Sequence, residues 1–197
     1  MDNSQIAKKP FDLNPKNGDN SMSKYDVYYV DGCENREQYQ KMIAIATSFC
    51  DTISFIYFKY MHNECSSEST KAIKKALQKY KIGSKKVTAW PLTETRDYGH
   101  IYNLVTYNIP HDLPKTFIFS DALEAVNTLW DWSYPEYPMD PCFYRNGLVF
   151  FASCTHEQMN ELYLRSEGDY LSKKDFESMG LKLTYLRSVS EDQLFHL

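Results

Sequence analysis

Glycine is scarce, at seven in 197 residues, and no G-x-x-x-x-G-K-[ST], G-x-G-x-x-G or G-x-S-x-G pattern occurs. A phosphate cradle, a dinucleotide fingerprint and a nucleophile elbow therefore all lack their sequence basis. His156-Glu157 begins an H-E-x-x-H motif, but its second histidine is missing. No C-x-x-C spacing exists among the five cysteines (33, 50, 65, 142 and 154), an odd number with no secretory signal ahead of them, so a reduced, cytoplasmic chain is expected. No run approaches the roughly 18 consecutive apolar residues that cross a bilayer, which argues against a membrane partner. Repeats and interdomain linkers are also absent. The first 24 residues are rich in Asn, Ser, Asp and Lys and read as a flexible polar tail, leaving 25–197 as a single domain.

Aromatic residues, by contrast, are plentiful: 16 Tyr, 11 Phe and 3 Trp make up 15% of the chain. They must pack a core, build an interface, or both. Charge is unevenly spread. Residues 71–86 carry Lys71, Lys74, Lys75, Lys79, Lys81, Lys85 and Lys86 and no acid, so the overall net charge of −4 leaves the rest of the chain eleven negative charges in excess. A solvated helix face with its following turn accounts for this run. A nucleic-acid surface is the sharper alternative, but the interleaved arginine and aromatics it calls for are missing.

Periodicity assigns the elements. Residues 25–32 read as a strand closing at Asp-Gly. Residues 35–50 place Tyr39, Met42, Ile43, Ala46, Phe49 and Cys50 on one helical face, with Asn35 and Gln38 spaced as a capping box and Cys50 as a core thiol. Residues 51–60 are β-branched and aromatic throughout, which predicts a central strand covered on both sides. A second helix, capped by Ser66 or Ser67, buries Ala72, Ile73, Ala76, Leu77 and Tyr80 and stops at Gly83. Strands follow at 85–90 and 100–109, then a third helix over 121–132 burying Ala122, Leu123, Val126, Leu129 and Trp130. The chain is α+β: a mostly antiparallel sheet with helices on one face. The element order suggests a ferredoxin-like βαββαβ core, with an added N-terminal helix and a C-terminal strand at 182–188.

Asn146-Gly147 between apolar β residues is a strong hairpin signal. Regular pairing across it sets Cys142 beside Tyr144, Val149 and Phe151, and Cys154 beside Phe143, Leu148, Phe150 and Ala152. The two cysteines then face opposite sides of the sheet unless a bulge resets the register. Cys154 and His156 share a face about 7 Å apart along the strand. They are the candidate catalytic pair, of the thiolate–imidazole kind, although no oxyanion hole is visible. A zinc site would need two further ligands, for which His62 and Cys65 are the available pair, and neither a metal nor another cofactor is expected. Trp130, Trp132, Tyr134, Glu136, Tyr137 and Asp140 form the candidate binding set, aromatics and carboxylates in a Pro-rich turn. A connection covering the core explains the same residues.

Three stretches, ENREQYQKMIAIATSFCDTISFIYFK, LWDWSYPEYPMDPCFYRNG and THEQ, resemble a family of small uncharacterised proteins from bacilli and related Gram-positive bacteria, some labelled as stage III sporulation proteins. The resemblance spans parts of 34–160 and implies a bacterial cytoplasmic protein. It transfers no catalytic residues. The tail and the segment after 164 depart from the family pattern. The leading functional expectation is a non-enzymatic module with a protein partner, of the immunity type that neutralises a toxin. A thiol-dependent hydrolase or transferase using Cys154 and His156 comes next, and nucleic-acid binding through the lysines of 71–86 third.

Overall fold

The computed structural model describes residues 23–60, 67–94, 100–109, 126–166 and 171–197. The expected tail at 1–22 and the candidate ligands His62 and Cys65 lie outside these residues. One eight-stranded sheet organises the described residues. Its strands are β1 (Lys24–Asp31), β2 (Thr52–Tyr60), β3 (Lys81–Val87), β6 (His100–Asn108), β7 (Met139–Arg145), β8 (Leu148–Cys154), β9 (Met159–Arg165) and β10 (Lys182–Ser190), in the order β10-β1-β9-β8-β7-β2-β6-β3. Between β3 and β6 the chain forms a two-stranded ribbon of β4 (Ala89–Trp90) and β5 (Thr93–Glu94). Among the described residues the α-helices are α1 (Arg36–Phe49), α2 (Glu68–Leu77) and α3 (Lys173–Ser178).

The α+β class and the antiparallel sheet agree with the sequence. The four strands of the expected ferredoxin-like core lie side by side in the order β7-β2-β6-β3, with α2 between β2 and β3 in the chain, and part of its expected second helix lies outside the described residues. Every neighbouring pair is antiparallel, as a split βαβ core requires, because a third strand separates the two that run parallel.

The three helices among the described residues cover one face. Tyr39, Met42, Ile43 and Ala46 of α1, Ile73 and Leu77 of α2 and Phe176 of α3 pack in a single cluster with Val30, Ile53, Phe55, Val105, Tyr107, Phe143 and Leu162 from the sheet. The opposite face buries Val27, Cys142, Tyr144, Val149, Ala152 and Tyr163 beneath Leu194 and Phe195, and buries Ile56 and Leu104 beneath Trp90. β2 supplies side chains to both clusters and lies between β7 and β6, as its unbroken apolar run predicts.

Local departures have identifiable causes. Asn35 caps α1 by accepting from the Glu37 N–H at 2.8 Å, but the reciprocal half of the capping box is missing. The Asn35 N–H already donates to the Gly32 carbonyl, and Gln38 lies against Gly32 with a buried Oε1 that finds no partner among the described residues. Ser67 is the cap of α2, accepting from Thr70 N–H at 3.0 Å. Ala72 is exposed rather than buried, and Gly83 does not stop the helix. It belongs to β3, where a Cβ would come within 3.3 Å of Thr106 Oγ1 at a shift in the β3–β6 register. Residues 110–125 are outside the described set, and 126–132 are not α-helical. Leu129–Asp131 form a single 3₁₀ turn. The Asp131 carboxylate accepts from the Asn127 and Thr128 N–H groups and closes the turn there.

Candidate functional site

The hairpin of β7 and β8 holds the most reactive side chains, and its register decides their placement. Asn146 and Gly147 both have positive φ, 52° and 80°, as a two-residue primed turn requires. Arg145 pairs with Leu148 and Tyr144 with Val149, as expected, but Phe143 then pairs with Phe151 instead of Phe150. Phe150 is a bulge, and both Phe150 and Phe151 point into the helix-side core. Every later residue of β8 changes face. Cys142 therefore lies with Tyr144, Val149 and Ala152, the face to which the bulge also turns Cys154. The expected separation of the two cysteines is overturned by the one extra residue.

A second irregularity brings in a carboxylate. The β2–β7 register shifts between Ser54 and Ile56, opposite Cys142 and Met139, and Asp140 within that shift has a left-handed φ of 52°. Its buried side chain accepts from Trp90 Nε1 at Oδ2 (2.8 Å), and from Thr155 N–H (2.8 Å) and Thr155 Oγ1 (2.9 Å) at Oδ1. Asp140 thus fastens the β4–β5 ribbon to the end of β8.

β8 stops at Cys154, and Thr155–Glu157 turn as a 3₁₀ helix ending at Gln158, whose φ is 54°. This fold-back brings His156 Nδ1 to 3.6 Å from Cys154 Sγ, about half the roughly 7 Å expected along a continuous strand. Thr93 Oγ1 of β5 donates to the same sulfur at 3.3 Å. One ligand atom each from Asp140, Cys154 and His156 lies within 4.8 Å of the others. Cys154 is 1% exposed, whereas the His156 side chain is 51% exposed and lies 3.8 Å from Glu157.

Burial pushes the Cys154 thiol above its ordinary range; the Thr93 hydrogen bond opposes this, and the negative Asp140 and Glu157 add to it. A nucleophilic cysteine needs a depressed thiol pKa and access to substrate. The geometry brings the expected pair together and gives the sulfur the opposite environment.

The aromatic-acidic set does not form one surface. Trp132 is buried, donates to Tyr39 Oη at 2.7 Å and packs 4.9 Å from Phe55. Trp130 and Tyr137 lie against the same core. Tyr134 meets Phe58 edge-on at 4.8 Å. Glu136 is exposed, and its carbonyl accepts from Ser67 and Thr70, tying this segment to α2. Asp140 is on the other face of the sheet. The segment is a core-covering connection, linked to Asp140 by Thr155 Oγ1, which shares its single proton between the Trp132 carbonyl and Asp140 Oδ1.

The lysine run is split between elements. Lys71, Lys74 and Lys75 lie on α2 and Lys79 on the following 3₁₀ turn, while Lys81, Lys85 and Lys86 lie on β3 rather than on a turn after the helix. β3 ends the sheet, and lysines on an outer strand discourage pairing with another chain. The shift in its register serves the same end.

Asp140 is the site residue that spacing could not group with Cys154 and His156. Pro141, which has no ladder N–H, was the one sequence sign of irregular pairing there. No protein-family model, curated protein or solved structure matches this chain. No described helix is long and apolar enough to cross a membrane.

Proposed function

We propose that the protein is a binding module that meets a protein partner along the outer strand β10, in the bacterial cytoplasm. The observation carrying this reading is the apolar pair Tyr185 and Leu186, 53% and 43% exposed, midway along a nine-residue strand that has only β1 beside it in the described sheet. Outer strands present a row of backbone donors and acceptors that proteins charge, bulge or cover unless they use it. β3, at the opposite edge, carries three lysines; β10 bulges at Leu186 and its Lys182 and Arg187 are paired with Asp31 and Glu161, so what it displays outward at its middle is an aromatic and an aliphatic side chain. Strand addition draws its affinity from such a main chain and its specificity from the side chains flanking it. An immunity-type role, neutralising a toxin, is the specific form we favour, because the acidic balance of the chain outside 71–86 complements a basic partner.

The test is purification of the native protein from its host at low salt, beside a Tyr185→Ser/Leu186→Lys double variant. The wild type is expected to carry a stoichiometric protein partner, encoded next to its own gene, and the variant to lose it with unchanged thermal unfolding. Recovery of no partner, or equal recovery by both chains, overturns the reading.

A further inference from the structure

The surroundings of Asp140 lack one thing: positive charge. Its carboxylate is 1% exposed, and its three donors, the Trp90 indole and the Thr155 amide and hydroxyl, are all neutral. Among the described residues no lysine or arginine pairs with it. Buried carboxylates are held by a cation or coordinate a metal. Two metal-ligating side chains, Cys154 and His156, converge on the same point from the end of β8 and the turn that follows.

We propose that Asp140, Cys154 and His156 form a binding site for a borderline-soft divalent cation of the zinc type, with three protein ligands and the fourth position open to solvent. Zinc bonds of about 2.3 Å to sulfur and about 2.0–2.1 Å to nitrogen place tetrahedral ligand atoms roughly 3.5–3.6 Å apart. Cys154 Sγ and His156 Nδ1 are already 3.6 Å apart. A carboxylate has about four acceptor positions. The two hydrogen bonds at Oδ1 and the one at Oδ2 leave a position at Oδ2 for monodentate ligation.

The remaining contacts suit a supporting shell. The Trp90 N–H and the Thr155 groups orient the carboxylate, and Thr93 Oγ1 donates to the sulfur, the arrangement that fixes ligands around a bound metal. The exposed side of His156 supplies the entry path. One sulfur, one nitrogen and one oxygen favour zinc, cobalt or copper over magnesium or calcium, which take oxygen alone. The alternative source of positive charge is a protonated His156, and it predicts no metal binding.

The experiment titrates cobalt(II) into the full chain after chelator dialysis. The wild type is expected to take up one equivalent, with a thiolate-to-cobalt charge-transfer band that zinc displaces. Cys154→Ser should abolish that band. His156→Gln should weaken binding at least tenfold while leaving the unfolding of the metal-free chain unchanged, since this side chain is half exposed. No charge-transfer band in the wild type overturns the proposal, as does a band that persists in Cys154→Ser or affinity undiminished in His156→Gln. A failure here leaves the β10 reading untouched, because the two sites share no residue.

Discussion

At the level of single residues, the chain puts its hydrogen-bonding aromatics to structural use. Trp132 fills the core beside Phe55 and donates its indole N–H to Tyr39, itself buried. Trp132→Phe retains much of the volume but leaves the Tyr39 hydroxyl without that donor in an apolar setting. It should cost about 1–3 kcal/mol in urea-induced unfolding. Trp132 was visible in the sequence only as part of an aromatic-acidic cluster open to two readings. Whether an aromatic faces a partner or the core depends on what the rest of the chain packs over it. The same limit applies to Asp140, whose role follows from Trp90, fifty positions earlier.

Between elements, the hairpin shows how little it takes to defeat a correct local inference. Asn146-Gly147 makes the turn expected of it, and the first two cross-strand pairs follow. Phe150 then bulges because the helix-side core accommodates both it and Phe151, a choice made by distant packing. Another tie between elements involves Asn160 of β9. Its Oδ1 accepts from Val30 N–H at 2.8 Å, and its Nδ2 donates to the Val30 carbonyl at 3.1 Å. The amide side chain thus stands in for a backbone neighbour where the β1–β9 ladder ends at Tyr28 and Leu162. Asn160→Leu preserves size and burial but orphans both Val30 groups. A loss of about 2 kcal/mol or more is expected by chemical denaturation, with faster amide exchange at Val30. A loss below about 0.5 kcal/mol would show that the strand re-forms its own pairing.

Across the whole molecule, the buried thiols and phenols set a limit on stability in alkali. Burial, with Glu34 and Asp31 adjacent, pushes the Cys33 thiol up to about 12 from its ordinary 9.0. Burial raises Cys50 and Cys142 as well, and Tyr39 among the phenols. An acid whose pKa is raised by folding is protonated in both states below its ordinary value, so its contribution to stability is intact there. Above pH 9 the unfolded chain ionises first, and stability is lost as pH climbs towards the folded value. Each such thiol removes about 1.4 kcal/mol per pH unit in that window. The chain is therefore expected to unfold cooperatively between about pH 9 and 12, followed by circular dichroism, with thiolate absorbance appearing at the same midpoint. In a Cys65→Ser chain, thiolate appearing ahead of unfolding would contradict burial of these groups.

The α+β class, α1 and α2, the central position of β2, the hairpin turn and the C-terminal strand were legible in the residues alone, because periodicity and turn chemistry act over a few residues. The spatial order of the strands, the faces on which Cys142 and Cys154 lie, and the meeting of Asp140, Cys154 and His156 emerged with the packed fold. The last two rest on two register shifts and one 3₁₀ turn. Such irregularities are favoured by the packing of residues remote in the chain, and a single extra residue inverts every side chain beyond it.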